Sequence, residues 1–470
     1  MLIEERSVTP DLLAGSVPES LAGPIEPEEA AALPAPPTVP EHPLRQMLRF
    51  NQRQIEYVFG ARRRFGEVFR MRSLMPEGPV FTSHPDHVRS LFTAKPEQAP
   101  SLNRESPLLP ILGPNSVLTA IGERHMRQRK LLLPSFHGEA IERYAQMIAD
   151  AAEREIDNWP VGTPFALAPR MQAITLDVIM AGIFGIEDRP RRGTPEHRLR
   201  FATKHLVAAS TKPPAQLGEL LHIGRAEAIG PMKLALDFLD RRAYAVIEAR
   251  RRADDLEERR DILSLLLQAR AEDGAALSDK EVRDELLTLV LAGHETTANS
   301  LAWTWERLVR TPDAHDALRD AVRSGESGAD RVEATIVESM RSRPVVPMVG
   351  RRVMVPWRLG DYAVPADTPV GMSILLVHHR EDLYPEPFEF RPQRWLDRKP
   401  GTYEWIPFGG GIRRCLGAAL AMAEQRVVLE AMARRLDLEA EDPAPERALH
   451  RNVTMIPARG ARVVVRSRLS

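Results

Sequence analysis

Only one cysteine, Cys415, occurs among the 470 residues of this chain. A disulfide within the chain is therefore excluded, and so is a zinc or iron–sulfur site that needs several cysteines. A chain without disulfides is typical of the reducing cytoplasm. A lone cysteine is usually a small buried apolar residue, so only its sequence context can indicate a chemical role.

Long apolar runs and an excess of positive charge are also missing. The longest apolar stretch, near Val178 to Ile186, is far shorter than the roughly 20 residues that span a bilayer. Because the N-terminus has no basic segment followed by an apolar one, we expect neither a signal peptide nor a membrane anchor. The formal net charge of -1 gives the chain no overall attraction for nucleic acid. These features predict a soluble, cytoplasmic protein.

Composition divides the chain into two parts. Residues 1–43 contain nine prolines with many Glu, Ala and Ser residues, which is typical of a flexible arm. Residues 44–470 follow a mostly helical pattern that proline interrupts, and we expect one domain that is mainly α with a minor β portion. Strand-like segments occur at 67–72, 79–82 and 349–375, and 453–456 with 462–465 are predicted to form a hairpin around Arg459-Gly460.

One helix is predicted to be very long. Ser278 and Glu281 have the spacing of a capping box, and no proline lies between Asp279 and Thr311. A helix that fills this span would be about 48 Å long at ~1.5 Å per residue. Its middle reads Ala292-Gly293-His294-Glu295-Thr296-Thr297, where glycine and threonine both disfavour a helix interior. Such violations are expected at functional sites, but a kink with internally satisfied polar groups explains them as well.

The segment Phe408-Gly409-Gly410-Gly411-Ile412-Arg413-Arg414-Cys415-Leu416-Gly417 is the most informative in the chain. Its glycines permit positive φ angles and close approach of the backbone to a flat ligand. A helix is predicted to begin just after Cys415, and its N-terminal partial charge favours a thiolate. The Gly-Lys-Ser/Thr ending of a phosphate-binding loop is missing. A haem-ligating thiolate, a reactive thiol and a structural loop all remain open from these residues alone.

This segment resembles the haem-binding signature of the cytochromes P450. All five fixed positions of that signature are occupied, by Phe408, Gly411, Arg413, Cys415 and Gly417. The resemblance implies the cytochrome P450 fold and a haem b cofactor whose iron is bound by Cys415. It extends from about residue 44 to the C-terminus, and further motifs follow in the order of the family.

The centre of the long helix resembles the family's distal motif. The resemblance implies that Glu295 and Thr296 form an acid–alcohol pair that delivers protons to O2, directly or through water. A zinc motif of the His-Glu-x-x-His type is excluded, because Ala298 stands where the second histidine must be. His294 is expected to face away from the haem or to line a groove.

Glu338 and Arg341 resemble the family's Glu-x-x-Arg motif, with Arg394 as the matching third member of a structural network. By the same resemblance, the haem propionates are met by Arg413, by His125 and Arg129 on one helix face, and by Arg352. Arg351 is the alternative to Arg352. The implied pocket lining is apolar and comprises 107–117, Leu287 with Val290, 345–348 and Thr454 with Met455.

The resemblance implies a monooxygenase that inserts one oxygen atom from O2 into an apolar small molecule. Only about fifty residues follow Gly417, so we expect a separate ferredoxin or flavodoxin as the electron donor. Arginines near Cys415 and at 124–130 are candidates for its docking face. The alternatives are a haem-thiolate peroxygenase or isomerase, a non-catalytic haem sensor or carrier, and a haem-free helical scaffold.

Overall fold

A computed structural model describes residues 18–72, 78–102, 108–136, 138–185, 190–210, 225, 227–270, 274–326 and 328–469. Helices predominate in these residues, and strands are short, so the prediction of a mainly α fold with a minor β portion is confirmed. The helices are α1 Pro27–Ala32, α2 Pro43–Gln52, α3 Gln54–Phe65, α4 Pro85–Thr93, α5 Leu109–Leu112, α6 Gly122–Leu132, α7 Glu139–Ile156, α8 Ala168–Phe184, α9 Pro195–Ser210, α10 Gly230–Arg251, α11 Ile262–Gln268, α12 Asp279–Leu308, α13 Pro312–Ser324, α14 Gly328–Ser342, α15 Ile374–Val377 and α16 Ala418–Arg435.

Twelve strands within the described residues form four small sheets. The sheet orders are β1-β6-β7, β2-β3-β8-β5, β4-β12-β9 and the two-stranded β10-β11. All pairs are antiparallel except β3 with β8. The strands are β1 Ala22–Pro24, β2 Val68–Arg70, β3 Val80–Thr82, β4 Phe165–Ala166, β5 Met348–Val353, β6 Trp357–Leu359, β7 Tyr362–Val364, β8 Thr368–Ser373, β9 Leu436–Ala440, β10 Ala448–Arg451, β11 Thr454–Pro457 and β12 Arg462–Arg468.

Helix α12 crosses the largest apolar core. It begins with the predicted capping box, in which Glu281 N donates to Ser278 Oγ at 3.3 Å and Ser278 N donates to Glu281 Oε2 at 2.9 Å. Its 30 residues give a length of about 45 Å at ~1.5 Å per residue. Side chains are buried around most of its circumference, which is typical of a helix inside a large core. The helix packs against α8, α10, α14 and α16, and therefore fixes the positions of residues contributed by distant parts of the chain.

Residues 18–43 differ from the predicted flexible arm. Strand β1 pairs with β6, Val39 N donates to Arg70 O at 2.9 Å, and Arg70 N donates to Pro37 O at 2.8 Å. Prolines are compatible with this structure because Pro24 lies on an edge strand, and Pro27 and Pro43 occupy the first turns of helices. Proline-rich composition was therefore a poor guide to where regular structure begins.

The predicted C-terminal hairpin is wrong in its pairing. Strand β11 pairs with β10, which precedes it, whereas β12 pairs with β9 and β4 in another sheet. Gly460 has a positive φ of 76°, as a turn residue can. The turn moves the chain from one sheet to the next instead of closing a hairpin.

Candidate active site

The loop that carries Cys415 is held between α4 and the start of α16. Cys415 N donates to Phe408 O at 2.9 Å, which closes the loop. Gly411 has a φ of 63°, and a Cβ atom there would lie 2.0 Å from Phe92 O. A Cβ atom on Gly410 would lie 2.2 Å from the Phe92 ring. These two glycines are therefore required by the close packing of the loop against α4, a protein neighbour that the sequence did not indicate.

The environment of Cys415 has opposing effects on the thiol. The side chain reaches solvent, but protein atoms surround the sulfur closely, and this burial raises the pKa of the thiol. The Gly417 N–H and the guanidinium groups of Arg414 and Arg129 act in the opposite direction. Because burial is the larger effect, the expected preference for a thiolate is not supplied by the protein alone. A bound metal ion would supply it, since coordination deprotonates a thiol.

Basic side chains converge beside the cysteine loop. His125 on α6 is buried, and burial followed by Arg413, Arg129 and Arg351 lowers its pKa to about 4. Burial likewise lowers the pKa of Arg413 to about 10, with Arg351 and Arg129 contributing. Arg413 donates to the carbonyl groups of 117, 118 and 120, and Arg129 donates to Arg414 O at 2.8 Å. The charges that act on His125 are thus all positive, which is the electrostatic pattern of an anion site.

Strand β5 separates the two arginine candidates onto opposite faces. Arg352 was the predicted propionate ligand, but its guanidinium donates to Asp367 O at 2.6 Å and to Asp367 Oδ1 at 3.1 Å. Arg351 is 6% exposed, and the one hydrogen bond from its guanidinium to a described residue runs from Nη1 to Gly350 O at 3.1 Å. No described carboxylate pairs with it. Because neighbouring strand residues point to opposite faces, the inward position belongs to Arg351.

Glu295 and Thr296 lie side by side near the middle of α12 but do not bond to each other. Thr296 Oγ1 donates to Ala292 O one turn back, at 2.7 Å. Glu295 Oε1 accepts from Arg451 at 2.5 Å and lies 3.4 Å from Thr454 Oγ1. His294 is buried and bonds to Val290 O through Nδ1 at 3.0 Å, on the side of the helix that packs against α8. The glycine and threonine residues cause no break in α12.

The predicted network around Glu338 is present, with Glu338 and Arg341 fully buried and Arg394 at 13% exposure. Arg341 makes two bonds to the Glu338 carboxylate, each of 2.8 Å, and Arg394 Nε approaches it at 3.2 Å. Trp395 Nε1 donates to Glu338 Oε2 at 2.8 Å, a contact that the sequence analysis missed. Arg341 also donates to the carbonyl groups of 378, 387 and 389. The network therefore joins α14 to the irregular segment that leads to the cysteine loop.

The loop preceding α6 is fastened to the N-terminal half of α12. Asn115 Nδ2 donates to Asp284 Oδ2 at 3.0 Å, and Val117 N donates to Glu285 Oε1 at 2.8 Å. Burial raises the pKa of Glu285 to about 8, so that this carboxyl group is mostly protonated at neutral pH. Residues 103–107, which include part of the predicted pocket lining, lie outside the described residues.

Comparison with known proteins decides the family. A family model described as Cytochrome P450 matches residues 34–465. The chain belongs to the cytochrome P450 family. It is 38% identical, over 94% of its own length and 100% of the other, to a Mycobacterium tuberculosis protein named "Putative cytochrome P450 138". It is 37% identical to a second protein of that organism, named "Putative cytochrome P450 137", over 85% of this chain and 83% of that one.

Solved structures agree on the fold. A structure described as "Retinoic acid bound cyanobacterial CYP120A1" superposes with a TM-score of 0.78 at 23% identity, over 93% of this chain and 100% of that one. A cytochrome P450 described as CYP102L1 gives a TM-score of 0.76 at 21% identity, over 93% and 100%. At such low identity these likenesses establish the fold alone. Within the described part of this P450, no helix is both long and apolar enough to cross a membrane.

The residues of this P450 fit a haem group. Arg351 is a buried guanidinium without a carboxylate partner among the described residues, beside Arg413 and a neutral His125. Two propionates would satisfy such a set, since a buried cation is costly unless it is paired. The described chain contains no group of three or more His, Cys, Asp or Glu residues that could hold a metal ion alone. One sulfur ligand combined with a cationic rim is a donor set that suits a haem with cysteine ligation.

The sequence analysis did not name Arg451, and it named Arg351 only as the alternative to Arg352. No local sequence pattern indicates that Arg451 contacts Glu295, because the two residues are 156 positions apart and meet only when the hairpin packs on α12. The alternation of β5 could have favoured Arg351. It lies two residues before the apolar Val353, which is 0% exposed, and residues two apart in a strand lie on the same face.

Proposed function

We propose that this P450 is a haem-thiolate monooxygenase that inserts one oxygen atom from O2 into an apolar small molecule. The observation that carries the proposal is the convergence of Arg351, Arg413, Arg129 and His125, of which Arg129 also acts on the chain's one thiol, Cys415. When bound as haem b, the cofactor would supply the activation of O2, with cysteine ligation favouring cleavage of the O–O bond. Cys415 would bind the iron, and Arg351, Arg413, His125 and Arg129 would bind the propionates.

Helix α12 would supply the proton path and part of the pocket wall. Glu295 and Thr296 are adjacent there, and a carboxyl group and a hydroxyl group can pass a proton through one water molecule. Leu287 and Val290 on the same helix are buried and apolar, which suits an apolar substrate that excludes bulk water.

We also propose that electrons come from a separate ferredoxin or flavodoxin in the cytoplasm. Arg414 is exposed next to Cys415, and Arg124 and Lys130 are exposed on α6. An acidic partner would be steered to such a surface, and the association rate would fall as salt increases. The lone thiol is compatible with a reducing compartment.

The decisive experiment follows oxygen into product. Compounds that shift the Soret band of the ferric protein are incubated with ¹⁸O2, NADPH, a plant-type ferredoxin and its reductase, and products are analysed by mass spectrometry. One ¹⁸O atom per product supports the proposal. Product formed with hydrogen peroxide alone, or an isomerised product without label, would instead indicate a peroxygenase or isomerase. Binding without any product from an electron-fed enzyme would indicate a sensor or carrier.

A further inference from the structure

The hairpin β10–β11 contacts the central helix at Glu295. Arg451 donates to Glu295 Oε1 through Nη2 at 2.5 Å and through Nε at 3.1 Å. Thr454, which faces Arg451 across the hairpin, donates its hydroxyl proton to Arg451 O at 2.9 Å, and its Oγ1 lies 3.4 Å from the same carboxylate oxygen. No described residue donates to Glu295 Oε2. One oxygen of the carboxylate is therefore held, and the other is available for exchange.

The hairpin is itself fixed to two other parts of the fold. Met455 N donates to Val345 O at 2.7 Å, and Trp303 Nε1 donates to Met455 O at 2.9 Å. Trp303 lies eight residues after Glu295 on α12, about 12 Å along the axis at ~1.5 Å per residue. Because the hairpin contacts the same helix at both points, Arg451 is presented to Glu295 from a rigid support.

The Glu295–Arg451 ion pair is only slightly exposed to solvent, so water screens it weakly. The side chain of Arg451 is 11% exposed and that of Glu295 is 22% exposed. Arg451 pairs with no other described carboxylate, so its cation is committed to Glu295. Charge-assisted hydrogen bonds of this kind are stronger and more directional than bonds between neutral groups.

We propose that Arg451 is a positioning residue for proton delivery. It holds Glu295 through Oε1 and leaves Oε2 as the oxygen that passes protons to the neighbourhood of the Thr296 hydroxyl. The hairpin also carries Thr454 and Met455, which are pocket residues by family resemblance, so the position of the acid is tied to the wall of the substrate pocket. The inference rests on the proposed role of Glu295 and adds the residue through which that role is controlled.

The test is a double-mutant cycle on the full-length, haem-loaded protein. Arg451→Gln, Glu295→Gln and the double variant are supplied with electrons by a plant-type ferredoxin, its reductase and NADPH. NADPH consumption, O2 consumption and peroxide release are measured in H2O and in D2O. We expect Arg451→Gln to slow NADPH consumption about tenfold, a part of the 10²–10⁴-fold that a general acid contributes, and to increase the solvent isotope effect. Arg451→Lys should restore part of the rate.

The matched control is Arg459→Gln, which removes an arginine just after β11 that pairs with Asp442 at 2.9 Å and is 41% exposed. It should change neither rate nor isotope effect. If Arg451 acts through Glu295, the double variant matches Glu295→Gln alone. Additive losses, or a normal isotope effect in Arg451→Gln, overturn the inference. If Glu295→Gln itself is without effect, the proposed proton path fails first. Should Arg451→Gln not retain haem, the same cycle is carried out with Arg451→Lys.

Discussion

Replacing Glu338 by alanine should prevent stable haem incorporation, not merely slow turnover. The carboxylate is 0% exposed and accepts from Arg341 Nε and Nη2, Arg391 N and Trp395 Nε1 at 2.8 Å each. Removing one member of a buried ion pair costs about 3–5 kcal/mol, because the remaining charge is buried without a partner. Arg341 keeps three carbonyl acceptors, and we therefore expect the lower end of that range, about 3 kcal/mol.

The measurement compares two alanine variants on the same helix. Glu333 also lies on α14 and pairs with Arg426, but both side chains are largely exposed, at 40% and 46%. Exposed pairs contribute about 0–1 kcal/mol, so Glu333→Ala should keep a normal haem content and urea midpoint. Glu338→Ala should be purified mostly without haem and unfold at lower urea. Equal haem content and equal midpoints in the two variants would refute the reasoning.

Three further outcomes concern the site, and one concerns a buried carboxyl group on α16. Arg351→Ala should lose haem to apomyoglobin much faster than Arg352→Ala does, and the reverse order would show that the faces of β5 are assigned wrongly. Thr296→Ala should divert electrons from product to hydrogen peroxide with unchanged haem content, whereas unchanged coupling would remove the hydroxyl from the proton path. Glu424 is buried on α16, and burial raises the pKa of its carboxyl group to about 8. Protonation of this group therefore favours the folded state. The stabilisation of the folded state by the protonated Glu424 is present below about pH 4.5. It is lost as the pH rises through 8, by at most ~1.4 kcal/mol per pH unit. Glu424→Gln should therefore be the more stable protein at pH 8, with no advantage at pH 4.5. Arg124→Glu combined with Arg414→Glu should slow reduction by an acidic ferredoxin and weaken its salt dependence, and a salt-insensitive rate in the parent protein would argue against this docking face.

Local sequence rules predicted the parts of the structure that depend on local energetics. The capping box at Ser278 and the absence of proline defined α12 to within a few residues of its end at Leu308. Family motifs likewise indicated that Glu338, Arg341 and Arg394 would meet. The capping box depends on a short spacing in sequence. The Glu338 network depends on a family motif whose residues the fold brings together.

The same local rules could not predict which strands pair when the strands are compatible with more than one partner. Strand β11 is compatible with β10 or β12 by its alternation alone, and the choice is made by tertiary contacts of Met455 with Val345 and Trp303. The Glu295–Arg451 pair follows from that choice, so it could not be predicted once the hairpin had been paired wrongly. The prolines of residues 18–43 were misleading for a related reason, since an edge strand such as β1 tolerates proline when a strand distant in sequence, here β6, pairs with it.

The sulfur–iron bond can be tested directly, because Cys415 is the only cysteine in the chain. The purified protein is reduced, carbon monoxide is added, and the absorbance spectrum is recorded beside that of Cys415→Ser. We expect the Soret maximum of a thiolate-ligated haem in the parent protein and its loss in the variant. A folded parent protein without pigment, or with the maximum of an imidazole- or thiol-ligated haem, would contradict it.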